Sequence, residues 1–264
     1  MTLFASHIVV DWSAASRPVT GANSVWIAGG KQLFNPPTRA AALERLRQLL
    51  RELPKPLLCG FDFPLGFPRG SGRERLWAAI RDLLQDENDN RNNRFDVAVE
   101  LNTFLPSPMF WGRPWQWRGH GLSPTRPSRL CLPEKRLTDR GTPQPVWKMS
   151  GAGSAGGQAL TGIPRVLKLR EEFAARLWPF DTGLCVPVNQ AVVFAEVYPS
   201  MVPALPDPVR DRGQVRALAR HFEKLDRQGA LAPLFEPPLS AEQRRWVEAD
   251  EGWILGVAAA AALG

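Results

Sequence analysis

Three hydrophobic runs in this chain each end on an acid. Ile8-Val9-Val10 runs into Asp11, Leu57-Leu58-Cys59-Gly60-Phe61 into Asp62, and Val192-Val193-Phe194-Ala195 into Glu196. Short apolar runs bounded by turn residues predict buried strands. Strands buried on both faces need helices on each side of their sheet, which is the layering of an α/β fold. A carboxylate closing such a strand needs a compensating group. The partner is a metal ion, a hydrogen-bond network or a basic side chain.

The segments between these runs fit that layering. Strands are expected at 7–12, 24–28 and 31–34. A helix then opens at Thr38 and carries Leu43, Leu46, Leu49, Leu50 and Leu53 at helical spacing until Pro54 and Pro56 stop it. A second helix is expected at 71–85. Residues 86–147 differ: they open on the polar DENDNRNNR, allow a short helix at 98–104, and are rich in Pro, Arg and Trp. They read as an insertion or lid within a single domain spanning 1–264. A strand at 145–149, a helix at 162–176, an extended 177–180, a strand at 191–197 and helices at 210–228 and 240–262 complete the order.

Composition narrows the function classes. A chain of 264 residues, 44% hydrophobic, buries about three quarters of its unfolded surface and needs no disulfide framework. Cys59, Cys131 and Cys185 form no CxxC pair, and His7, His120 and His221 are scattered, which argues against zinc. No charged region precedes an apolar core at the N-terminus, and Ile254–Leu263 falls short of the roughly 20 residues a bilayer requires. A soluble, cytoplasmic protein without membrane contact is expected. Net charge is +7, and six of the 33 basic residues are lysine. Arginine favours bidentate phosphate contacts, which permits a nucleic-acid or nucleotide partner. A GC-rich genome also produces that arginine excess. Oligomeric state leaves no mark in the sequence.

Asp11, Asp62 and Glu196 sit near strand C-terminal ends, where the loops of an α/β sheet open a crevice. Glu248, Asp250 and Glu251, in VEADEGWILGV, open the last apolar stretch. Carboxylates meeting in one crevice repel one another, and a hard divalent cation, Mg²⁺ or Mn²⁺, compensates them. Taken singly, each acid has another reading. A strand-end Asp caps a turn, Glu196 pairs with an arginine, and the last cluster faces solvent.

Taken together, VDWSAAS, GFDFPLGFP, EVYPS and the DEGWILGVAAA tail resemble a family of predicted ribonuclease H-like nucleases, a domain of unknown function, over nearly the whole chain. The resemblance implies a ribonuclease H-like mixed sheet, three antiparallel strands followed by parallel ones, flanked by helices. It implies Asp11, Asp62, Glu196 and Asp250 as catalytic metal ligands, with Glu251 competing with Asp250 for the last place. Ser13, on the same strand face as Asp11, is expected to orient it or touch a phosphate. The implied activity is that of a divalent-metal-dependent nuclease or phosphodiesterase acting on nucleic acid or a nucleotide.

Two further segments bear on substrate. SGAGSAGGQALTGIP, residues 150–164, contains a literal GxGxxG without the βαβ context of a dinucleotide site. It reads as a phosphate-contacting loop, with Lys148 and Gln158 as substrate-binding candidates, or as a plain linker; the resemblance favours the contact. Trp111, Trp115 and Trp117, interleaved with Arg113 and Arg118, suit stacking on unpaired bases. A lid packed on the core is the favoured alternative. Two functions compete with hydrolysis. Bulky Trp253 beside the last acids motivates an inactive nucleic-acid- or partner-binding protein. A nucleotide-binding phosphotransferase is disfavoured by Trp12, since a glycine there would let a phosphate approach the backbone.

Overall fold

The computed structural model describes residues 2–141 and 143–258. At its centre is a six-stranded mixed sheet in the order β3-β2-β1-β4-β6-β5. β1 (Ser6–Asp11), β2 (Trp26–Gly29) and β3 (Gln32–Phe34) form an antiparallel meander. Its second turn is two residues long, Gly30-Lys31, with φ of +56° and +67°, the left-handed pair that matches strand twist in a tight hairpin. β4 (Leu57–Asp62) runs parallel to β1, and β6 (Val192–Glu196) parallel to β4. The two-residue β5 (Arg176–Leu177) runs parallel to β6 at the far edge. The expectation of an α/β mixed sheet, antiparallel then parallel, is met.

Six helices flank the sheet: α1 (Arg39–Glu52), α2 (Arg73–Leu83), α3 (Arg94–Phe104), α4 (Gly156–Glu172), α5 (Arg210–Arg227) and the short α6 (Ala241–Trp246). Thr38 caps α1 by accepting the Ala41 N–H at 3.1 Å. Alternate strand residues feed two cores. Ile8, Val10, Cys59, Phe61 and Phe194 pack toward α1 to α4, while Val9, Leu58, Val193 and Ala195 pack toward α5. α5 also anchors the start of the chain, where Asp226 accepts the N–H groups of Leu3 and Phe4 at 2.6 and 2.8 Å.

Departures from the sequence expectations have local causes. α3 begins at Arg94 and α4 at Gly156, each earlier than the hydrophobic spacing indicates. Glycine is a poor helix former, but a Cβ at Gly156 would lie 2.5 Å from the Val146 carbonyl oxygen, so only glycine fits there. Residues 145–149 form no strand and meet Trp111 through isolated hydrogen bonds, Trp111 N–H to Trp147 O at 3.0 Å and Met149 N–H to Trp111 O at 2.8 Å. The insertion packs Trp147 fully into the core against Phe67 and Phe110, and leaves Trp115 78% exposed.

The helix expected at 240–262 ends early. α6 passes into one widened turn, Val247–Glu251, closed by the Gly252 N–H on the Val247 carbonyl at 2.9 Å. Gly252 then adopts φ +64°, and Trp253, Ile254 and Leu255 run buried beside β6, with the Leu255 N–H on the Glu196 carbonyl at 2.9 Å. One isolated parallel bridge, Glu196 with Ile254, ties this apolar tail to the end of β6. Residues 259–262 of the expected helix lie outside the described residues. Among the described residues, no helix is long and apolar enough to cross a membrane.

The widened turn docks through a close backbone approach. A Cβ at Gly66 would stand 2.1 Å from the Glu251 carbonyl oxygen. Gly66→Ala therefore forces β4's exit loop off the turn. It is expected to lower stability by about 1–3 kcal/mol, read from the urea midpoint at unchanged m-value.

Candidate functional site

β1 and β4 pair so that Asp11 lies directly across from Asp62. Register partners on neighbouring strands project from the same face, so both carboxylates turn toward α5. Glu196 is the partner of Phe61, one residue out of step, and its side chain projects from the opposite face. Both faces meet at the strand ends around a cavity of about 480 Å³. Loop 12–14 and loop 63–64, the glycine tract, the first turns of α4 and α5, and Arg136, Asp139, Pro143 and Gln144 of the insertion complete its walls.

The carboxylates of Asp11 and Asp62 receive no hydrogen bond from any described residue, and both residues are half-buried at the cavity wall. Burial, then Asp62 and Asp211, raise the Asp11 carboxyl well above the ordinary aspartate range. Burial, then Glu196 and Asp211, push Asp62 up to about 8. Asp211 stands in the first turn of α5 and borders the same cavity. One of its oxygens accepts the Asn23 N–H at 2.7 Å.

Glu196 has a counter-ion. Arg136 grips it with two hydrogen bonds of 2.6 and 2.7 Å, and the Leu65 N–H adds a third at 3.0 Å. The same guanidinium donates to Asp139 at 2.8 and 3.1 Å and to the Glu251 carbonyl at 3.0 Å. Burial works against the Arg136 charge, but Asp139 and Glu196 outweigh it and hold its pKa well above the ordinary value. Burial pushes the Glu196 carboxyl upward against the pull of Arg136. The bidentate contact to a guanidinium that keeps its proton leaves the pair ionised.

The remaining candidates separate. Asp250 accepts the N–H groups of Gly70 and Arg73 at 2.9 Å each, capping the approach to α2, and does not border the cavity. Glu251 is buried and takes the Arg69 and Leu137 N–H groups at 3.0 and 2.7 Å. Ser13 borders the cavity, but its hydroxyl donates to the Asn23 carbonyl at 2.8 Å and accepts from the Ala15 N–H at 3.3 Å, a turn role. Gln158 also borders the cavity and donates to the Trp12 carbonyl at 2.5 Å. Lys148 lies behind the glycine loop, bonded to the Ala152 carbonyl at 2.9 Å and to Gln144 at 3.2 Å. Among the described residues, no group of three or more His, Cys, Asp or Glu is arranged to hold a metal ion.

Arg136, Asp139 and Asp211 escaped the sequence reading. The first two lie in a segment without periodicity, and Arg136 is one of many arginines. Asp211 stands at a helix start, where an acid is ordinarily read as a dipole partner.

Two outcomes test this geometry. A carboxyl with a raised folded-state pKa holds its proton better folded than unfolded, so its stabilising contribution fades as pH rises through the folded value. In cation-free buffer, wild type should lose stability relative to Asp62→Asn as pH rises from about 4 to about 8, measured as the difference between their urea midpoints. Arg136→Met strands two buried carboxylates and should cost about 3–5 kcal/mol by the same assay at neutral pH. No protein-family profile, curated protein or solved structure matches the chain.

Proposed function

We propose that this protein is a divalent-cation-dependent phosphoesterase whose substrate is a nucleotide or nucleic acid. The observation that carries the proposal is the Asp11–Asp62 pair: two adjacent carboxylates on one face, without hydrogen-bond donors, whose charge nothing nearby neutralises. The donor set fits Mg²⁺ or Mn²⁺. Mg²⁺ is commonly held by one or two carboxylates, with water and substrate phosphate filling its remaining positions. Asp11 and Asp62 would hold the ion, which when bound supplies charge to polarise a phosphoryl oxygen and acidify water.

The chain's own groups share the remaining work. The second oxygen of Asp211 carries no hydrogen bond among the described residues and accepts the proton of the attacking water. The N-terminus of α4 opens on the cavity at Ala155, which gives it no side-chain cap; the Gly156 N–H is held by the Lys148 carbonyl at 2.9 Å, and the Gln158 N–H, at a residue bordering the cavity, is left to meet a phosphate oxygen. Gln158, fixed to the end of β1 through Trp12, orients the substrate. Arg136 holds Glu196 and the roof of the cavity in position.

The layout also supports a ribonuclease H-like fold. Three antiparallel strands precede a parallel β4, and β1 and β4 each end on an acid. The acids that the resemblance puts on β6 and on the closing helix are engaged elsewhere, so the proposed ligand set is Asp11 and Asp62. The locked Glu196 favours a second reading, a protein of this fold that binds its ligand without cleaving it.

Calorimetric titration with Mg²⁺ and Mn²⁺, paired with hydrolysis of bis(p-nitrophenyl) phosphate, tests both readings. Asp11→Asn is expected to weaken cation binding and lower hydrolysis by about 100-fold or more, with the circular dichroism spectrum unchanged. Cation binding without turnover supports the second reading. A wild-type protein that binds neither cation rules out the phosphoesterase.

A further inference from the structure

We infer that the substrate is one small phosphoester of nucleotide size, with an uncharged polar remainder, rather than a strand of nucleic acid. The inference rests on the phosphoesterase reading and narrows it. Its first support is volume. The cavity holds about 480 Å³, within the range of sites that enclose a small molecule.

The second support is the roof. Residues 136–138 lie against the end of β6, where Arg136 bonds both Glu196 and the Glu251 carbonyl. On either side of that contact, the Leu137 N–H meets the Glu251 carboxylate at 2.7 Å and the Ile254 N–H meets the Thr138 hydroxyl at 3.0 Å. The roof is thus bolted to β6, to the widened turn and to the tail. A strand needs a groove open at both ends, and this fixed roof borders the cavity along one side.

The third support is sign. Among the described residues, Asp11, Asp62, Asp139, Glu196 and Asp211 border the cavity against a single cation, Arg136. Two of the five acids are already paired with it. Nucleic-acid sites present basic surfaces to a backbone that carries one charge per roughly 1.7 Å of duplex. The excess of acids here repels successive phosphates and admits one phosphoester whose charge a cation offsets. The protein's net charge of +7 lies away from this cavity.

The fourth support is the neutral lining. Asn23, Gln158, Ser200 and Gln214 add amides and hydroxyls but no charge. Gln214 donates to Ser200 at 2.7 Å, and the side-chain Oε1 of Gln158 accepts no bond among the described residues. Such groups recognise a sugar or a base by hydrogen bonds.

The test compares hydrolysis of the p-nitrophenyl ester of thymidine 5′-phosphate with cleavage of end-labelled single and double strands of about 20 nucleotides, DNA and RNA, with Mg²⁺ or Mn²⁺. Anisotropy measures binding of the same strands to the wild type. Expected is a kcat/KM about 100-fold or more in favour of the small ester, absent in Asp11→Asn, with no strand binding that thymidine 5′-phosphate displaces. Strands cleaved as well as the ester, with cleavage lost in Asp11→Asn, overturn the size inference and leave the phosphoesterase standing. Displaceable strand binding overturns it too. No turnover of either class, together with no cation binding, removes both.

Discussion

The guanidinium of Arg136 is the point on which the functional end of the molecule turns. It is fully buried, its N–H groups reach Glu196, Asp139 and the Glu251 carbonyl, and it belongs to a segment with almost no regular structure. A buried ion pair of this kind adds little net stability against a well-packed apolar substitute, but breaking one side leaves an uncompensated charge. Its value is positional. One side chain fixes the insertion, β6 and the tail relative to one another, and so defines the cavity that none of them could enclose alone.

The same interaction divides the acids into two populations. Glu196 and Asp139 are neutralised from within the protein. Asp11 and Asp62 are not, and their protons are correspondingly hard to remove. A group left unsatisfied inside a protein is expensive, and such groups concentrate where a ligand completes them. The contrast between a satisfied pair and an unsatisfied pair, a few side chains apart, is what directs the proposed ligand to the ends of β1 and β4.

Much of the sheet was legible in the sequence. The apolar runs, their terminal acids and the caps of α1 are local signals, and local signals gave β1, β4, β6 and α1 close to their observed bounds. Which acids share a face was legible in principle, since strand side chains alternate, but only once register is known. Register is a tertiary property, and one residue of offset sends Glu196 to the far side. The early start of α4 and the end of the last helix at Gly252 depend on close contacts with distant segments, Val146 for the first and Phe180 for the second. Arg136 could not be told from its neighbours, because its partners are 60 and 115 residues away. Asp250 and Glu251 looked like a cluster of free acids in the chain, yet both carboxylates are committed to backbone amides of residues 69–73, and Glu251 also to that of Leu137.

The widened turn at Val247–Glu251 also sets when the cavity can exist. Its Glu251 carbonyl and carboxylate hold Arg136 and Leu137 from more than a hundred residues downstream. On a ribosome the strands carrying Asp11 and Asp62 emerge first, and domains assemble as their sequence becomes available. The roof lacks these partners until residues 251–254 have been made. A product ending before Val247 would carry both acids at its strand ends without these contacts, so the shape of the cavity depends on a segment far along the chain from the acids that border it.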